Sequence, residues 1–258
     1  MDPTDPRPVL VEQHGALLFI TINRPQRRNA VNRDVSELIA AAMNRLDGDP
    51  DLRVGIITGA DGHFCSGMDL KDFADGGRPE IEGRGFAGIT ERPPAKPLIA
   101  AVEGFALAGG CELALACDLI VAARGAFFGL PEVCRGLVAW SGGLVRLGQR
   151  IPPGIALELA LTGERFSALD AHRWGLANRL VPDGEALSQA RDLALQIAAN
   201  APLSVVASKR IMREARDWSS EVVWERQRPL AEAVINSRDA HEGALAFAEK
   251  RQPVWRGQ

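Results

Sequence analysis

KPLIAAVEGFALAGGCELALACDLIVAA, residues 96–123, decides how this chain folds. LIAAVEG and DLIVAA are short, β-rich apolar runs, and the glycine-led alanine and leucine segment between them reads as a helix. Strand, helix and strand in succession indicate an α/β fold. The helix carries one carboxylate, Glu112, directly after Gly109, Gly110 and Cys111. A buried carboxylate without a partner is costly, and its pKa should rise. Its presence in an apolar run therefore has either a structural or a chemical cause.

Toward the N-terminus, VLVEQHGALLFITI divides into two apolar runs around His14 and Gly15, the pattern of an antiparallel hairpin. Asn32 can cap a helix whose Val35, Leu38, Ile39, Ala42, Met43 and Leu46 follow helical spacing and stop before Gly48 and Pro50. VGIITG then reads as a buried strand. DFADGGRPEIEGRGFAGITERPP, residues 72–94, is rich in glycine, proline and charge, and is expected to be a mobile loop of the kind that serves as a lid. From Ser141 onward helical patterns dominate, including 184–199, 202–216, 219–234 and 237–249. The expected division is a loose arm over residues 1–8, a core domain over 9–200 and a helical region over 201–258.

Composition narrows the function. With 258 residues, 46% of them hydrophobic, the chain can bury a large core. A formal net charge of −3 and the lack of a basic block argue against nucleic acid. No stretch approaches the roughly 20 apolar residues of a membrane span. The opening MDPTDPRP lacks the layout of a signal peptide, so no membrane partner and a cytoplasmic location are expected. Cys65, Cys111, Cys117 and Cys134 form no CxxC pair, and the four histidines are scattered. Buried thiols are expected, and no metal.

FGLPEVCRG supplies a second carboxylate, Glu132, beside Phe127, Phe128 and Leu130. On one continuous helix Glu112 and Glu132 would lie about 30 Å apart, so a joint site needs the chain to double back. The strand at 118–123 provides that return. Two glycine-rich turns, GHFCSGMDL and ALAGGCEL, complement the acids, because free N–H groups at a helix start favour negative charge and can hold an oxyanion.

HFCSGMDL, KPLIAAVEGFALAGGCELALACDLIVAA and FFGLPEVCRGL, in this order, resemble the successive signatures of the enoyl-CoA hydratase/isomerase, or crotonase, superfamily. The resemblance runs from the first hairpin to EGALAFAEKRQPVW near the C-terminus. It implies a crotonase-like spiral of repeated ββα units with a C-terminal helical trimerisation region, assembled as a homotrimer or a dimer of trimers. It also implies that the backbone N–H groups of Ser66 and Gly109 form an oxyanion hole and that Glu112 and Glu132 are the acid/base pair. Met68, Asp69 and Leu70 would approach the CoA adenine, and Phe247 and Lys250 would reach a neighbouring subunit's CoA. The implied activity is reversible syn addition of water to a trans-2-enoyl-CoA, giving a 3-hydroxyacyl-CoA, with CoA carried by the substrate and no separate cofactor. Double-bond isomerisation, a specialised acyl-CoA dehydration and a silent acyl-CoA-binding scaffold are the alternatives.

Each residue also has a plainer reading. Either glutamate can be a helix-start or ion-paired carboxylate. Asp69 can be a turn residue. Phe247 is spaced like a core residue of its helix, and Lys250 can be a solvated charge. Ser66 is not placed as a nucleophile, since HFCSG and AWSGG lack the first glycine of a G-x-S-x-G elbow. One departure from the family pattern is CRGLVAWSGG, where a glycine-proline-glycine loop is usual. There the Trp140 N–H can still hold water, while its indole either reshapes the pocket or packs in the core.

Overall fold

The computed structural model describes residues 7–258; most of the arm expected over 1–8 lies outside the described residues. Val9–His14 (β1) and Leu17–Ile22 (β2) form the antiparallel hairpin. It turns at Gly15, whose φ of +60° suits glycine. The Asn32 side chain accepts from Val35 N–H at 3.2 Å and so caps Arg33–Gly48 (α1). Val54–Gly59 (β3) and Leu70–Ala74 (α2) follow.

The quoted stretch forms Leu98–Val102 (β4), Phe105–Leu107 (β5), Gly109–Ala116 (α3) and Leu119–Ala123 (β6). Phe127–Gly129 (β7) leads into a 3-10 turn, Pro131–Arg135, and then Gly143–Arg150 (α4) and Pro153–Thr162 (α5). Arg165–Ser167 (β8), Ala168–Arg173 (α6), Arg179–Val181 (β9) and Ala186–Ala198 (α7) complete the core. Pro202–Glu214 (α8), Val223–Ile235 (α9) and Arg238–Glu249 (α10) end the chain.

Two sheets result, in the orders β1-β2-β3-β4-β6-β9 and β5-β7-β8. Successive passes of the chain place one strand in each sheet: β4 then β5, β6 then β7, with α3 between the passes. This is the spiral of ββα units. From β2 onward the strands of the larger sheet run parallel, and both of its faces are covered, which explains their continuous apolar character. Leu18, Ile20 and Ile57 pack with Ile39, Met43 and Leu46 of α1. On the other face Phe19, Ile56 and Val121 pack with Ala186, Ala190 and Ala194 of α7.

The stretch 72–94 is not the open loop its composition suggests. Phe86, Ala87, Ile89 and Thr90 are buried, and Gly88 sits so close to α1 that a Cβ there would lie 2.6 Å from the Ser36 carbonyl oxygen. Cys65, Cys111 and Cys117 are buried, whereas Cys134 is exposed, because its 3-10 turn lies at the surface. Among the described residues no helix is long and apolar enough to cross a membrane.

Candidate active site

The site is built where the two glycine-rich turns meet. Gly67, with φ +98°, lies so close to the start of α3 that a Cβ on it would be 3.0 Å from Gly109 N. Gly109 itself faces the Phe86 ring, 2.6 Å from where its Cβ would stand, and a Cβ on Gly110 would fall on the Cys65 carbonyl oxygen. The glycines in CSGMD and LAGGC therefore permit two backbone segments to approach more closely than any side chain would allow.

The expected donor at Ser66 is not free: its N–H donates to the Arg28 carbonyl at 3.1 Å. Two residues on, the Met68 N–H has no acceptor among the described residues, and neither does that of Gly109. A helix's first N–H groups have no intrahelical partner, and the helix dipole favours an anion there. The open donors are thus Met68 N–H and the first N–H groups of α3, led by Gly109.

Glu112 stands in the first turn of α3 and is buried. Its Oε1 accepts from Gly143 N–H at 2.9 Å. Burial pushes its carboxyl up to about 7; the bonds from Gly143 and Ser141 and the Arg146 cation pull it down, while the charge of Glu132 pushes it further up. Glu132 follows Pro131 in the 3-10 turn, and its Oε2 is buried with no hydrogen-bond partner. Burial raises its pKa as well, against a bond from its own N–H and the pull of Arg135.

Glu132 lies on the wall of a cavity of about 340 Å³, with Leu130, Val133, Leu144 and Ala156 among its neighbours there. Glu112 flanks this wall. A Cβ on Gly143 would lie 2.9 Å from Glu112 Cγ and 3.1 Å from Leu130 Cδ2, so the carboxylate and the cavity-lining leucine abut the same main-chain atom. Two desolvated carboxyls, one of them raised further by the charge of the other, can occupy different protonation states at neutral pH.

Other expected residues lie elsewhere. Asp69 is tied to Arg24 at 2.9 Å and accepts from the N–H groups of Lys71 and Asp72 as the cap of α2. Desolvation raises its pKa, but these bonds outweigh that and hold it below the ordinary range. It is a structural carboxylate. Leu70 is half exposed and Met68 half-buried. The Trp140 N–H donates to the Val138 carbonyl at 2.9 Å, so it does not hold water, and its indole is 70% exposed rather than packed in the core. Phe247, spaced like a core residue, is 88% exposed. Lys250 is exposed as the left-handed cap that ends α10.

Sequence reasoning missed three contributors. Gly143 supplies the bond to Glu112, and Arg146 donates to the carbonyls of Ser141 and Thr90 on either side of the site. Phe86 backs Gly109. The signal for the first was present: SGG before an apolar helix repeats the glycine-led helix start of AGGCEL.

Residues 12–258 match the family described as Enoyl-CoA hydratase/isomerase. The carnitinyl-CoA dehydratase of Proteus mirabilis is 45% identical over 252 residues, covering 95% of this chain and 96% of that protein. A crystal structure of an enoyl-CoA hydratase from Mycobacterium tuberculosis H37Rv is 58% identical and superposes with a TM-score of 0.96, over 97% of this chain and 99% of the other. A carnitinyl-CoA hydratase from Mycobacterium avium is 47% identical with a TM-score of 0.78, at the same coverage of 97% and 99%.

Proposed function

Because the chain belongs to the enoyl-CoA hydratase/isomerase family, we propose that it catalyses reversible syn hydration of a trans-2-enoyl-CoA to the 3-hydroxyacyl-CoA. The observation that carries this reading is the buried, unpartnered Glu132 oxygen on an apolar cavity flanked by a second raised carboxyl, Glu112. The thioester oxygen would accept from Met68 and Gly109 N–H, which stabilises the enolate-like charge that develops when water attacks the β-carbon. Glu112, ionised, takes a proton from the attacking water. Glu132, protonated, delivers the proton to the α-carbon on the same face. Microscopic reversal gives dehydration. These steps use only side chains and main-chain donors of this chain, and CoA enters with the substrate.

The CoA contacts belong to the same proposal. The segment of Met68 and Leu70 would run beside the adenine, with Asp69 fixing it through Arg24. Phe247 and Lys250 would reach the CoA of a neighbouring subunit in a homotrimer or a dimer of trimers. The exposure of Phe247 agrees with that placement.

A second reading, dehydration of a carnitinyl-CoA, draws on the 45% identical relative. Isomerisation of a 3-enoyl-CoA would use the same oxyanion donors. Hydration in deuterated water separates addition of water from isomerisation. Our reading predicts a 3-hydroxyacyl-CoA carrying one deuterium at the α-carbon. Conversion of a 3-enoyl-CoA with no water uptake by the 2-enoyl ester would replace hydratase by isomerase, and tight binding of acyl-CoA without turnover of any ester would leave only a scaffold.

A further inference from the structure

The walls of the cavity beyond Glu132 are hydrocarbon. Leu144 of α4 and Ala156, Leu157, Ala160 and Leu161 of α5 line it, and among the described residues Glu132 is the one charged side chain on its surface. Among the described residues no aromatic ring lines it, the chain contains no tyrosine, and the nearby Trp140 is largely exposed. A quaternary ammonium is stabilised by aromatic faces or by a carboxylate close to the cation. Here, past the exposed rim of Leu157 and Leu161, it would meet aliphatic groups with neither partner to spare, since Glu132 is needed at the reacting carbons. Space in the cavity comes from small residues at helical spacing, Ala156 with Ala160 on α5 and Gly148 four residues after Leu144 on α4. A Cβ on Gly148 would meet nothing within 4 Å.

Resting on the hydratase reading, we infer that this cavity receives an uncharged hydrocarbon acyl tail longer than four carbons, that it rejects an acyl group bearing a trimethylammonium, and that Gly148 sets the depth available. An apolar tail gains about fourfold in binding for each methylene it buries. The cavity, toward the small end of the roughly 300–1,000 Å³ typical of ligand pockets, suits a short to medium chain.

The test compares kcat/KM of the purified protein for the trans-2-butenoyl, hexenoyl and octenoyl esters of CoA and for crotonobetainyl-CoA. Calorimetric binding of hexanoyl-CoA and γ-butyrobetainyl-CoA, which have no double bond to hydrate, runs beside it. The hexenoyl ester is expected to exceed the butenoyl ester by about sixteenfold, and crotonobetainyl-CoA to fall at least about a hundredfold below it. Gly148→Leu, which adds side chain to open space, is expected to lower kcat/KM for the hexenoyl ester more than for the butenoyl ester and so to flatten the length series. Leu161→Glu, at the exposed rim, should weaken hexanoyl-CoA and strengthen γ-butyrobetainyl-CoA. Equal or better use of the betaine ester, a flat length series, or a length series unchanged in Gly148→Leu would overturn the inference while leaving hydration intact. Absence of turnover with the same ranking in binding would remove the reaction and keep the tail site. Absence of turnover with tighter binding of the betaine analogue would remove both.

Discussion

Glu112 combines two roles that conflict. Its carboxyl sits at about 7 in the folded chain against an ordinary value of 4.5, with burial as the largest cause. The folded state therefore holds this proton more tightly than the unfolded state does. The contribution to stability is fully present below about 4.5 and is lost as pH rises through about 7, by at most about 3 kcal/mol. Thermal unfolding of the native chain and of Glu112→Gln between pH 5 and 8 should show the native chain losing ground as pH rises, and the gap levelling off above the carboxyl's pKa. Parallel curves would mean that the group is not desolvated as described. Nearby glycines carry a different constraint. Gly110→Ala would push a methyl into the Cys65 main chain, which cannot retreat as a side-chain tip can; a loss of about 1–3 kcal/mol is expected in denaturant unfolding.

At the scale of elements, Arg146 joins the two halves of the site. From α4 it donates to Ser141, in the turn that holds Glu112, and to Thr90, in the segment whose Phe86 backs Gly109. Its positive charge also favours ionised Glu112. Arg146→Met should lower kcat by about ten- to a hundredfold and move the acidic limb of the pH profile upward. Arg146→Lys should restore the limb better than kcat, because an ammonium keeps the charge but not the planar fork. An unchanged pH profile in the Met variant would limit Arg146 to packing. Such links are hard to read in one dimension. The hairpin, α1, β3, β4 and β6 are legible because apolar runs and a capping Asn32 recur at the right spacing. β5, β7, β8 and β9 are three residues each, too short to show a period. Phe86–Thr90 is buried inside a stretch whose average composition is that of a loop. For the candidate site, sequence order identifies the two glutamates and the two turns, but not which N–H in CSGMD is left without an acceptor. That depends on the hydrogen bond from Ser66 to Arg28, a partner 38 positions away. Nor does it show that Asp69 is occupied by Arg24 or that Trp140 faces outward.

For the molecule as a whole, the last three helices present large apolar side chains to the surface. Helices α8 and α9 contain no buried residue, while Met212, Trp224, Ile235 and Phe247 are 68% or more exposed. Patches of this kind mark association surfaces, and further copies of this chain are the partners we propose. Light scattering after gel filtration is expected to give a trimer or hexamer, and Trp224→Glu with Ile235→Glu to lower the mass; a monomer in the unaltered protein would contradict the assembly. The proposed site lies instead in the spiral core, where a chain reversal between α3 and the Pro131–Arg135 turn brings Glu112 beside the cavity wall that carries Glu132. The most direct measurement is loss of the conjugated enoyl-thioester absorbance of trans-2-hexenoyl-CoA, followed with the native chain, Glu112→Gln and Glu132→Gln, each checked for native thermal unfolding. The account predicts hydration by the native chain and a fall of about 10²–10⁴-fold in each variant; full activity in either variant would contradict the paired-carboxyl mechanism.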